Sequence, residues 1–132
     1  MPSSSHPDRR AFLQGALCTV AGLTLVGGCS PDAPYDDATL MQPTLLPTLG
    51  PTRVREIGQA YRRATPAEST APTLRAAIAR GAQQLRGLRW SPYPSLEALI
   101  TADFTDGRVV FPAGWMLSVN EARQCGLFSL QG

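Results

Sequence analysis

The sequence predicts a small α+β domain of three to four helices and one β-hairpin, placed behind a signal peptide and a Pro-rich linker. Three observations lead there. Apolar residues recur at three- and four-residue spacing over 52–64 and 73–88, the stripe of an amphipathic helix. Two short runs rich in Val, Trp, Met and Leu flank Pro112-Ala113-Gly114, which is hairpin punctuation. The first thirty residues follow neither pattern and have the layout of an export signal.

That signal occupies 1–28. A polar start leads into Arg9 and Arg10, then an uncharged stretch interrupted by Gly, Thr and Gln, then small residues before Cys29. A charged start, a short apolar middle and a small-residue end make a signal peptide. The middle is too weakly apolar for a spanning helix, which wants ~20 predominantly apolar residues; this disfavours an uncleaved anchor. Arg9-Arg10-Ala11-Phe12-Leu13 resembles the twin-arginine export address, with Phe12 and Leu13 where that address wants them. Leu25-Val26-Gly27-Gly28-Cys29 resembles a lipobox, the pattern for acylating a cysteine and cleaving just before it. The mature chain is therefore expected to begin at a lipidated Cys29. The competing reading is a plain secretory signal with an incidental cysteine.

Residues 29–51 carry that cysteine and five prolines. Proline fixes φ and removes a donor, so 30–51 reads as an extended linker, reaching ~70 Å if fully polyproline-like. Leu40, Met41, Leu45, Leu46 and Leu49 point the other way, towards docking part of it on the domain.

The domain is expected over 52–132. Its first helix runs from Thr52 to Ala64 with Val54, Ile57 and Tyr61 inward, and Pro66 stops it. The second runs from Thr73 to about Leu88 on Leu74, Ala77, Ile78, Ala82 and Leu85, with Arg75, Arg80, Arg86 and Arg89 on the opposite face, read as solvated with binding of an acidic partner as the alternative. Ser95 caps a short third helix to about Phe104. Arg108-Val109-Val110-Phe111 and Trp115-Met116-Leu117 form a hairpin closed by a three-residue loop. Ser118 and Glu121 have capping-box spacing and open the closing helix.

Composition removes many functions. The mature chain holds ten Arg against nine Asp and Glu, a near balance that argues against nucleic acid as a partner. It has no lysine, and His6 lies in the signal. Without His or Lys a chain runs no Ser-His-Asp or Cys-His mechanism, forms no lysine Schiff base and offers no imidazole to a metal. No cofactor and no metal site are expected. Cys18 leaves with the signal, so Cys125 stands alone, read as a small buried hydrophobe in preference to a reactive thiol.

Two sets of candidate residues survive. Asp103 and Asp106 are the available acid/base pair, although Asp106-Gly107 reads more simply as a turn. Trp90, Tyr93 and Trp115 are the candidate recognition surface, because aromatics dominate interface energetics. The alternative for all three is core packing.

Gly114-Trp115-Met116-Leu117-Ser118 and Glu121-Ala122-Arg123-Gln124-Cys125, together with the Arg9-Arg10 signal, resemble a group of short twin-arginine-signal bacterial proteins and lipoproteins. The similarity spans roughly a third of the chain. It implies export and a shared small domain, and it assigns no site residues.

The expectation is thus an exported lipoprotein, held on the periplasmic face of a membrane and serving as a non-catalytic accessory module for a larger periplasmic partner, a redox enzyme first among those to seek. Ser30 after the cysteine favours the outer membrane. The alternative is a small-ligand binder, or a carboxylate-dependent enzyme using Asp103 and Asp106.

Overall fold

A computed structural model of the chain describes residues 34–87 and 93–131. Five α-helices and one two-stranded hairpin make up this part: α1 (Asp37–Leu40), α2 (Leu46–Ala64), α3 (Ala71–Gly87), α4 (Leu96–Thr105), β1 (Val109–Val110), β2 (Leu117–Ser118) and α5 (Val119–Ser129). Single turns of 3-10 helix lie at Pro66–Glu68 and Pro112–Gly114. The signal, including Arg9, Arg10, Phe12, Leu13 and Cys29, lies outside the described residues.

The stretch expected as linker is folded from Asp36 onwards. Asp36 caps α1 by accepting a hydrogen bond from the Thr39 N–H at 2.7 Å, and Leu40 and Pro43 are buried. Tyr35 donates its hydroxyl hydrogen to the Pro94 carbonyl, and burial pushes its pKa up to about 12. The prolines do not prevent folding here, because Pro47 and Pro51 each open a helical turn, where a missing N–H costs nothing. Gly50, at φ 77°, breaks α2 between those two turns. The long body of α2 therefore starts at Pro51, one residue from the expected start.

The closing helix is the centre of the fold. In α5 every position from Asn120 to Phe128 except Arg123 is buried, as befits a helix surrounded by other elements. Its most extensive packing is against α2, with α3 and α4 on its other sides. Gly58 of α2 allows that close approach, since a Cβ there would sit 2.0 Å from the Cys125 carbonyl oxygen. Val54, Ile57, Tyr61, Leu74, Ile78, Leu99, Leu117 and Leu127 fill the core around it, each apolar side chain stabilising by ~1.5–3 kcal/mol on full burial.

The caps match the spacing that suggested them. Ser95 accepts from the Ala98 N–H at 3.1 Å. The Ser118–Glu121 box closes in both directions, at 2.9 and 3.0 Å. The hairpin differs from its expected form. Val109 pairs with Ser118 and Val110 with Leu117, so Phe111, Trp115 and Met116 belong to a six-residue loop and not to strands. Pro112 cannot donate to a ladder, and Ala113 (φ 52°) and Gly114 (φ 81°) both turn left-handed, ending the pairing early. Among the described residues no helix is long and apolar enough to cross a membrane.

Candidate functional site

The two carboxylates expected as an acid/base pair occupy different environments. On α4, Leu96, Leu99 and Asp103 share the buried face, so Asp103 stands at a core position with 1% of its surface exposed. Its Oδ1 accepts from Arg108 Nε at 2.9 Å. Its Oδ2 accepts from the Asn120 backbone N–H at 3.0 Å and from Asn120 Nδ2 at 2.9 Å. Asn120 lies in the first turn of α5, so Asp103 satisfies one of that helix's free N–H groups and opposes its dipole with negative charge. Asp106 is exposed and pairs with the other arm of the same guanidinium, Arg108 Nη1, at 2.8 Å. Arg108 thus stands between the two acids. Oδ2 of Asp103 anchors α5 and Oδ1 holds Arg108, so the buried carboxylate serves structural contacts at both oxygens.

A second cluster continues from Asn120. Its Oδ1 accepts from Arg123 Nη1 at 3.3 Å. Arg123 forks onto Glu68 through Nε and Nη2, both at 2.8 Å, and Tyr61 donates its hydroxyl hydrogen to the same carboxylate. The Arg123 hydrogen bonds hold the Glu68 carboxyl below its ordinary range despite partial burial. Burial opposes the charge on Arg123, but the bonds and charge of Glu68 outweigh it and raise its pKa. Burial, reinforced by Glu68, pushes Tyr61 up to about 12. The polar chain Asp103–Asn120–Arg123–Glu68–Tyr61 therefore ties α2, α4 and α5 through 3-10 turn and loop. Glu68 and Arg123 are 55 residues apart, and no local pattern announces them.

Beside this chain lies a cleft of about 210 Å³ between α3, α4 and the start of α5. Arg80 and Gln84 of α3 line it, with Gly81 between them. Arg80, expected on a solvated face with Arg75 and Arg86, is exposed and also borders the cleft, because 77, 80, 81 and 84 fall on one side of the helix.

The aromatic candidates also separate. Tyr93 is half-buried against the core, with the Arg86 guanidinium 4.6 Å over its ring, a cation–π contact. Trp90 lies outside the described residues. Trp115 is 40% exposed, and its loop neighbours Phe111 and Met116 are 64% and 60% exposed. Buried Pro112 fixes the loop from below, and its 3-10 turn rests on α2. The Gly114 and Trp115 N–H groups donate back to the Phe111 and Pro112 carbonyls at 3.4 and 3.1 Å. Three large apolar side chains are thereby presented to solvent on a defined backbone. Ala113 holds a conformation that costs a non-glycine residue on the order of 1 kcal/mol.

Cys125 is fully buried, and burial pushes its thiol up to about 12. It packs in the core as a small buried side chain. Among the described residues no three His, Cys, Asp or Glu side chains cluster to hold a metal ion. Comparison of the chain with protein-family models, with curated proteins and with solved structures finds no match.

Proposed function

We propose that the mature chain is an exported, lipid-anchored, non-catalytic accessory module that docks a larger protein in the cell envelope, with the 111–116 loop as its contact surface. One observation carries the reading: Phe111, Trp115 and Met116 stand exposed together on a loop whose backbone is fixed from both sides. Large apolar side chains left exposed on one loop are candidate interaction sites, and Trp, Phe and Met are enriched in interface cores. Strain kept at Ala113 fits a loop whose shape matters. The anchor is Cys29 and the export address is Arg9-Arg10-Ala11-Phe12-Leu13.

The folded linker changes the geometry expected for such a module. Six residues, 30–35, separate the Cys29 anchor from the Asp36 cap of α1, a reach of at most ~25 Å. The domain then works close to the lipid surface, and its partner is one whose docking face is membrane-proximal. A membrane-associated redox enzyme of the periplasm is the first candidate, because twin-arginine cargo travels folded, commonly with a cofactor-bearing subunit. Ser30, not Asp, after the cysteine resembles the lipoprotein sorting pattern for the outer membrane.

Comparative affinity capture tests the docking surface. The triple change Phe111→Ser, Trp115→Ser and Met116→Ser should abolish a partner retained by the native protein, without lowering the melting temperature. Retention of that partner by the triple variant would overturn the assignment. The anchor is tested separately. Cys29→Ser should end lipid labelling, and Arg9→Lys with Arg10→Lys should leave the precursor in the cytoplasm. Unchanged mass and fractionation in the first, or normal processing of the second, would contradict the anchor or the export route.

A further inference from the structure

The cleft beside the Asp103 cluster is independent of the docking loop, and nothing about it rests on the docking reading. Its polar groups fall into two kinds. Asp103, Asn120 and Arg123 are used up within the polar chain: both Asp103 oxygens, the Asn120 amide and the Arg123 Nε, Nη1 and Nη2 all have partners. Arg80 and Gln84 are not. Among the described residues Arg80 enters no ion pair, and neither side chain has a hydrogen-bond partner there. Arg108 contributes Nε and Nη1 to Asp103 and Asp106, which leaves Nη2 unused on a side chain half exposed to solvent.

Three solvent-exposed side chains with donors to spare, two guanidiniums and a primary amide, therefore line one recess. Arg108 is held by Asp103 of the buried chain, whereas Arg80 and Gln84 reach the recess from the exposed side of α3. The back wall is apolar, formed by Ala77, Leu99 and Val119. Gly81 keeps the centre open: a Cβ there would meet only the Asn120 amide, at 3.6 Å. The first N–H groups of α5 are already taken by Arg108, Asp103 and Ser118, so recognition falls to the side chains. A planar guanidinium pairs with a carboxylate through two parallel bonds. An apolar wall opposite suits a short carbon skeleton, and a highly charged phosphate gains nothing from it.

We propose that this cleft binds a carboxylate group, with Arg80 as the primary contact, Arg108 Nη2 and Gln84 as its supports, and Leu99 and Val119 against the attached carbons. The carboxylate belongs either to a small free acid or to an acidic side chain of another protein. The volume admits no more than a few carbons in either case. Asp103 and Asp106 hold Arg108 in position and do not touch the ligand.

Calorimetric titration of the mature full-length protein with succinate, with a blocked Gly-Glu-Gly tripeptide and with inorganic phosphate tests this. Saturable binding of succinate above the tripeptide assigns a free acid, and the reverse order assigns a protein side chain. Either result requires that Arg80→Gln weaken binding by about tenfold or more, with little change in melting temperature, because Arg80 holds no hydrogen bond or close ion pair and its charge reaches Glu68 only at longer range. Gly81→Val, which fills the recess without removing a charge, should abolish the same signal. The proposal is overturned by heats indistinguishable from dilution for both carboxylates, by tighter binding of phosphate than of either, or by affinity that survives Arg80→Gln.

Discussion

Replacing Gly58 with Ala probes the contact on which the whole fold is assembled. An added Cβ would stand 2.0 Å from the Cys125 carbonyl oxygen, 2.5 Å from its carbon and 2.9 Å from Ser129 Cβ. Ordinary contact between such atoms needs more than 3 Å, so α2 and α5 must part by about 1 Å, and the obstructing atoms are mostly backbone with no rotamer to yield. A gap of 0.5–1 Å forfeits about a quarter to a half of the dispersion energy along the seam. Overpacking of this kind costs ~1–3 kcal/mol and sometimes more. Alanine returns up to ~1 kcal/mol through its better helix propensity. The net expectation is a loss of about 2 kcal/mol, read as a lower urea midpoint with an unchanged slope. Two controls calibrate it. Gly126→Ala meets chiefly Leu74 methyls, at 3.2 and 3.3 Å, which can move, and should cost less. Gly87→Ala meets nothing within 4 Å and should be neutral or stabilising by up to ~1 kcal/mol. A Gly58→Ala protein as stable as Gly87→Ala would refute the close packing of α2 on α5.

The polar core yields three more outcomes. Asp103→Asn leaves one donor facing an amide N–H₂ and removes a buried charge from Arg108, so it should cost about 3 kcal/mol by denaturant titration; an equally stable variant would return Asp103 to catalytic candidacy. Gln124 is fully buried, and neither end of its amide has a partner, so Gln124→Met should raise the urea midpoint by roughly 1 kcal/mol of stability, and destabilisation would show that the amide is satisfied after all. The Glu68 carboxyl is held below its ordinary 4.5. Its contribution is therefore complete above that pH and lost as pH falls through the folded value. The acid side of the stability profile should flatten in Glu68→Gln, and an identical acid limb would contradict the Arg123–Glu68 fork.

What is legible in the sequence is local. Ser95, Ser118 and Glu121 announce helix starts because a cap is satisfied within three residues, and apolar periodicity locates α2 and α3 to within a few positions of their ends. The folded linker is harder to see. Five prolines suggest an extended chain, while Pro47 and Pro51 act as helix openers, a role that depends on Gly50 and on buried Leu40 and Pro43. Strand alternation likewise points Trp115 and Met116 into a strand, whereas the left-handed pair Ala113–Gly114 releases them into a loop. The site chemistry is least legible, since it joins segments far apart in the chain: Asp103 meets Asn120 across 17 residues and Glu68 meets Arg123 across 55. Arg80 carries no local sign that it faces a cleft, because an arginine row on a helix looks the same whether it borders water or a recess.

Docking through the 111–116 loop is tested most directly by photo-crosslinking in intact cells, from single benzoylphenylalanine positions on the full-length, exported protein. One probe replaces Met116 in the exposed loop, and the other replaces Glu97, exposed on α4. A docking loop gives one discrete higher-mass adduct from position 116, absent from position 97 and lost when Phe111 and Trp115 are changed to Ser. A matching adduct from position 97, or none from 116 while 97 crosslinks, would contradict it.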